Sequence, residues 1–230
     1  MARKARFSPE GVPQHVIQRG NNRQICFGSE EDFKAYLHWL KQYSKKYGVS
    51  VHAWVLMTNH VHLLCTPWSV DGLSKMMQSL GRSYVRYFND TYQRTGTLWE
   101  GRFKSCLVNA PEYLFHLYRY IELNPVRAMM VDDPADYIWS SYQCNGLGKQ
   151  SILLSPHELY QQLGLNTAER LENYRTLFSS HVEDELLDNI RKASNKGLVL
   201  GNDRFVDEME SLSGRRLKEG HRGRPKKNVL

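Results

Sequence analysis

The sequence predicts an α+β fold, a mainly antiparallel sheet with helices on one face, followed by a small helical region. Three observations predict it. Apolar residues switch between period two and period 3.6 in the order strand, helix, strand, strand, helix, strand, helix. The two middle strands, VSVHAWVLM and HVHLLCTP, are separated only by Thr58 and Asn59, which calls for a tight turn and antiparallel pairing. Apolar residues make up 41% of the 230 and aromatics 11%, enough for one good core and too much for a disordered chain.

Each element follows from local pattern. Gln14 to Arg19 (QHVIQR) reads as the first strand, closed by the turn signal Gly20-Asn21-Asn22. Ser29, followed by acidic residues, opens a helix in which Phe33, Tyr36, Leu37, Leu40, Tyr43 and Tyr47 recur at helical spacing until Gly48 stops it. After the paired strands, a second helix is expected from Val70 through Gln93. TLWEGRFKSCLV reads as extended, with a hairpin turn near Glu100-Gly101. Asn109-Ala110-Pro111-Glu112 has the composition of a helix entrance, with proline early, where its missing N–H costs nothing. The helix EYLFHLYRYIELN should end before Pro125, since proline disfavours helical geometry in the residue ahead of it. Beyond these elements the chain becomes helical and more acidic in short pieces. We therefore divide it into 1–148, a helical region 149–214 and a basic tail 215–230. Helices on one face leave the other face of the sheet open.

Composition narrows the function classes. No run of about 18 apolar residues offers a membrane span, and MARKARFSPE lacks the apolar stretch of a signal peptide, which predicts a soluble cytoplasmic protein with no membrane partner. Cys26, Cys65, Cys106 and Cys144 are scattered without a CxxC pair, so any metal falls to histidine and oxygen ligands. The net charge of +7 is concentrated in the tail: without its seven basic residues and one acid, 24 basic residues face 23 acidic ones. Within the body, Lys75, Arg82, Arg86, Arg94, Arg102 and Lys104 are interleaved with Tyr84, Tyr87, Phe88, Tyr92, Trp99 and Phe103. That mixture suits phosphates and unpaired bases, and equally an amphipathic helix with one solvated basic side.

The stretch MTNHVHLL carries two histidines, His60 and His62, around Val61. On a strand both rings leave one face, about 6.6 Å apart, close enough to converge on one divalent ion. A wet outer face of a half-buried sheet would show the same spacing. On the helix before Pro125, His116, Tyr120 and Asn124 recur every four residues and form a stripe beside Leu114, Leu117 and Ile121. A tyrosine becomes a usable nucleophile toward a phosphate whose charge a cation has neutralised, and an amide oxygen one turn on can join a metal shell.

Four pieces, HVIQRGNNR, MTNHVHLL, GTLWEGRFKS and YRYIELNPVRA, occur in this order across about residues 10 to 130. Together they resemble the Y1-type transposases of the IS200/IS605 group and their REP-associated relatives, which are HUH single-strand nucleases. The resemblance implies a ferredoxin-like, RRM-like sheet with the histidine pair on a central strand. It implies that His60, His62 and Asn124 hold Mg²⁺ or Mn²⁺ and that Tyr120 is the nucleophile; many members carry Gln where Asn124 stands. It also implies an endonuclease and strand transferase acting on single-stranded or hairpin DNA through a 5′-phosphotyrosine, in transposition or in REP processing. Arg19, Asn22, Arg23, Arg82, Arg86, Arg102 and Lys104 are then candidates for holding the DNA, and a homodimer is compatible with the chain. In the tail, Arg222-Gly223-Arg224-Pro225-Lys226-Lys227 resembles an AT-hook, which would add Arg222 and Arg224 as minor-groove contacts; a disordered basic tail that binds any DNA fits the same residues equally well. Two other functions fit the scaffold. A replication initiator usually carries further modules, and no Walker-type GxxxxGK[ST] is present. A catalytically idle DNA-binding regulator would have no need of His60, His62, Tyr120 and Asn124 together.

Overall fold

The computed structural model describes residues 6–180 and 182–218. Its strands are β1 (Gln14–Arg19), β2 (Val49–Met57), β3 (His60–Pro67), β4 (Lys104–Val108) and β5 (Val199–Leu200). The helices are α1 (Glu30–Lys46), α2 (Gly72–Thr91), α3 (Ala110–Glu122), α4 (Asn124–Arg127), α5 (Tyr142–Asn145), α6 (Glu158–Gln161), α7 (Thr167–Thr176), α8 (Asp184–Lys196) and α9 (Asp203–Ser213). The sheet runs β2-β3-β1-β4-β5, antiparallel except for the parallel pair β4 and β5. The α+β class and the first three strands are as the sequence predicts.

One layer follows the expected pattern. Ser29 and Asp32 form a reciprocal capping box at the start of α1. Phe33, Tyr36 and Leu40 of α1 pack with Met76, Leu80 and Tyr84 of α2 on Val16, Val61, Leu63 and Cys65. Tyr43 and Tyr47 tie the two helices through hydrogen bonds to Ser83 (2.7 Å) and Ser79 (2.9 Å).

The other sheet face corrects the expectation that it is open. Ala53, Val55, Leu64, Cys106 and Val108 on that face share a core with Leu114, Leu117 and Ile121 of α3, Tyr174 of α7, and Leu187 and Ile190 of α8. Segments beyond residue 149 thus bury their apolar residues in the same core as the sheet. Their individual pieces are short and amphipathic, and such pieces gain stability by docking on an existing apolar face.

Two local features also depart from the pattern. TLWEGRFKSCLV forms no hairpin: Trp99 bridges Gly20, and the chain then enters β4, which pairs with the first half of β1. Both parts find the same neighbour, so the turn at Gly101 (φ 67°) redirects the chain without pairing it with itself. In β2 the register slips between Val51 and Ala53, a bulge centred on His52. His52 is buried there and hydrogen-bonds the Ser155 carbonyl (2.6 Å) and Thr66 Oγ1 (2.8 Å). The bulge changes parity, so Val51 faces the α1–α2 core while Ala53 faces the α3 side.

Candidate functional site

Register decides which side chains share the second face. Arg19 lies opposite His60, Ile17 opposite His62, and on the other side of β1 Ile17 lies opposite Lys104. All five point the same way, because directly paired residues share a face. Above them runs α3, which ends at Glu122; Asn124 then begins α4 with Pro125 as its second residue. Proline cannot donate to the ladder of α3, and this break turns Asn124 toward the sheet.

The result is one cavity of about 360 Å³ lined by Arg19, His60, His62, Tyr120, Asn124 and Arg127, with Ile17, Glu100, Arg102, Lys104, Ala128, Arg191 and Asn195 completing it. His60, His62, Tyr120 and Asn124, from β3, α3 and α4, are therefore brought together. The Tyr120 ring stands edge-on to His62, with ring centres 5.6 Å apart. His116 of the same sequence stripe is not in this cavity; it lines a separate one with Tyr113 and Arg119. Two cations accompany the nucleophile candidate in this cavity. The Arg127 guanidinium lies 4.6 Å from the Tyr120 ring centre and donates to the Tyr120 carbonyl, and Arg191 of α8 lines the same cavity.

Both histidines are neutral at pH 7. Burial lowers His60 to about 4, with Arg19 adding to the effect and the Asn124 hydrogen bond opposing it. His62 is lowered well below the ordinary value by burial and then by His15, His60, Arg127 and Arg19. A neutral ring offers one lone pair, and for His60 its neighbours determine which. Asn59 donates through Nδ2 to the Arg23 carbonyl (3.2 Å), which leaves Asn59 Oδ1 to accept from His60 Nδ1 at 2.6 Å. His60 Nε2 is thus the bare nitrogen. Asn124 lines the cavity with His60, and its buried Nδ2 has no hydrogen-bond partner among the described residues. Two imidazoles and an amide lining one cavity are a donor set that fits a divalent cation. Two imidazole nitrogens and one amide oxygen leave further coordination positions for water or phosphate oxygens. Among the described residues no group of three or more His, Cys, Asp and Glu could hold a metal, so the amide is needed to reach three ligands.

The residues proposed from sequence to hold DNA fall in several places. Arg19, Arg102 and Lys104 line the cavity. Arg82 lines a neighbouring groove with Arg102, Lys75 and Gln78. Arg86 is exposed on α2, 3.8 Å from Asp90. Asn22 and Arg23 sit exposed in the turn after β1, both with left-handed backbone (φ 50° and 59°), outside the cavity lining; that turn brings the Arg23 carbonyl to Asn59. Arg222 and Arg224 lie outside the described residues. Sequence reasoning missed Arg127, Arg191, Asn195 and His15. His15 was legible as a same-face neighbour of His62 once β1 pairs with β3, whereas Arg191 and Asn195 come from a helix whose docking no local pattern specifies.

Comparison with known proteins bears on the family and the fold. No curated protein matches the chain. A solved structure of a REP-associated tyrosine transposase bound to a REP hairpin is similar at 19% identity and a TM-score of 0.52, over 68% of this chain and 93% of that one, which shows a shared fold. A Deinococcus radiodurans R1 protein regarded as a transposase aligns at 19% identity over 51% of this chain and 95% of its own, with a TM-score of 0.36, too low to bear on the fold. A family model described as "Transposase IS200 like" matches residues 10–124, half of the 230, from just before β1 to Asn124. The chain belongs to the family of IS200-like transposases.

Proposed function

We propose that the protein is a metal-dependent single-strand DNA endonuclease and strand transferase that uses Tyr120 as nucleophile on hairpin or palindromic DNA. One observation carries the reading: Tyr120, His60, His62 and Asn124, separate in sequence, line a single cavity with five cations and one acid. Arg19, Arg102, Lys104, Arg127 and Arg191 against Glu100 make a positive basin that suits a phosphodiester. His60, His62 and Asn124 would hold Mg²⁺ or Mn²⁺, which when bound supplies charge neutralisation at the scissile phosphate.

In this reading the chain's residues divide the work. Arg19 and Lys104, flanking the histidines on the sheet, hold phosphate oxygens. Arg127 and Arg191 stand beside Tyr120 and place positive charge around the phosphate that it attacks. Tyr120 Oη forms a bond to phosphorus as the bond to the 3′-oxygen breaks; the phenol gives up its proton and the departing oxygen takes one up as a hydroxyl. One phosphoester replaces another, so no ATP is consumed, and a 3′-hydroxyl from another strand can reverse the step and join. Binding of a REP hairpin by the structural neighbour supports hairpin DNA as the substrate to try first.

The test is to incubate the protein with end-labelled hairpin DNA and Mg²⁺ or Mn²⁺ and look for a protein–DNA band that survives denaturation. Tyr120→Phe should bind the hairpin and yield no such band. A covalent band of normal intensity from Tyr120→Phe would refute the assignment.

A further inference from the structure

His62 makes a buried contact that begins outside the region matched by the family model. Ser194 of α8 is fully buried, and its Oγ lies 2.8 Å from the Ile190 carbonyl, which can only accept. The hydroxyl proton goes there, so Oγ presents lone pairs to His15 Nδ1 at 2.8 Å. The His15 ring is fully buried too, and among the described residues its two nitrogens meet only Ser194 and His62. No carboxylate is in that chain of contacts, and an unpaired imidazolium there would carry a large desolvation cost. A neutral His15 with its proton on Nδ1 is an acceptor at Nε2. The atom 2.9 Å from Nε2 is His62 Nδ1, which must then carry the proton. The two rings lie nearly parallel, 13° apart.

We propose that Ser194 and His15 are positioning residues that hold His62 in its Nδ1–H tautomer, presenting a bare Nε2 to the cavity and so to a divalent cation. The inference rests on the reading of His62 as a metal ligand. The opposite polarity, with Ser194 donating to His15, would point an N–H of His62 into the cavity and repel a cation. Asn59, inside the matched motif, performs the same service for His60. For His62 it depends on β1 and on a serine about 130 residues further along the chain. Cys106 Sγ, 3.4 Å from Ser194 Oγ, can donate to the second lone pair of the same oxygen.

The experiment uses the full chain and two readouts besides cleavage. Long-range ¹H–¹⁵N spectra of the metal-free protein report which nitrogen of each histidine is protonated, and His62 should show protonated Nδ1. Mn²⁺ binding, read from the electron paramagnetic resonance of the free ion, should weaken by about 10- to 100-fold in His15→Leu. His15→Gln, whose amide oxygen can accept from His62, should recover most of that affinity. Ser194→Ala should shift part of the His62 population to the Nε2–H form. A role in packing alone would make the Gln and Leu variants equivalent, and that result would overturn the proposal. So would an Nε2–H tautomer of His62 in the metal-free wild type. If His15→Leu fails to fold, the wild-type spectrum and Ser194→Ala still decide. Absence of Mn²⁺ binding by the wild type would instead count against His62 as a ligand, and the spectrum would judge the relay separately.

Discussion

Three tyrosines on α3 are alike in sequence and occupy three environments. Tyr118 is fully buried among Tyr160 and Tyr174, and Tyr113 lines the cavity that holds His116. Only Tyr120 faces His62 and Arg127. Tyr113→Phe and Tyr118→Phe are therefore expected to keep the covalent DNA adduct; its loss in either alone would name a different nucleophile. Glu122, two residues on, is wholly buried and accepts from Ser141, Asn145 (2.9 Å) and Tyr174 (2.6 Å). Burial pushes its carboxyl up to about 7 in spite of these bonds. The native state then holds a proton that the unfolded state releases above the ordinary carboxyl range, so stability should fall as pH rises from about 4.5 to about 7 and level off beyond. The span is on the order of 3 kcal/mol. Glu122→Gln, which imitates the protonated acid, should flatten that part of a denaturant midpoint-versus-pH curve. An unchanged slope in the variant would show that Glu122 is not the titrating group.

Helix α8 has two tasks, which separate by face. Its Leu187, Ile190 and Ala193 are buried in the core over β4, while Arg191 and Asn195 look into the cavity and Ser194 reaches His15. Ile190→Ala should lower unfolding free energy by about 2–5 kcal/mol, as expected for a fully buried isoleucine, measured by urea denaturation. Arg191→Ala removes an exposed head group and should leave that midpoint nearly unmoved, while slowing adduct formation because the cavity loses one of its positive charges. Equal destabilisation by both variants would mean that the two faces are not independent. The β2 bulge acts at the same scale: one extra residue at His52 lets a single strand supply Val51 to one core and Ala53 to the other.

At the scale of the molecule, positive charge is continuous from the site outward. A second cavity of about 660 Å³ adjoins the first, sharing Glu100, Arg102, Lys104 and Asn195 with it and extending to Arg6, Lys196, Arg215 and Arg216. Residues 215–230 hold six net positive charges, so the tail is expected to add affinity and perform no chemistry. Deleting it should weaken binding of a single-stranded oligonucleotide and reduce the slope of log affinity against log salt by up to about 4. Cleavage at saturating protein should persist. Loss of cleavage in a folded truncation would place part of the chemistry in the tail. No helix among the described residues is long and apolar enough to cross a membrane.

The sequence by itself determined what depends on neighbours along the chain. Periodicity located β1 through β3 and α1, the alternation of a strand put His60 and His62 on one side of Val61, and Pro125 ended the helix that bears Tyr120. These are consequences of backbone geometry within a few residues. Tertiary structure alone decided what covers the histidine face, because docking of α3 and α8 depends on the fit of assembled surfaces and no local pattern encodes it. The same cause separates His116 from Tyr120, one turn apart on a helix yet facing different cavities. It brings Arg191 to Tyr120 and Ser194 to His15, pairs separated by 71 and 179 residues that meet only after the sheet exists for α8 to pack on.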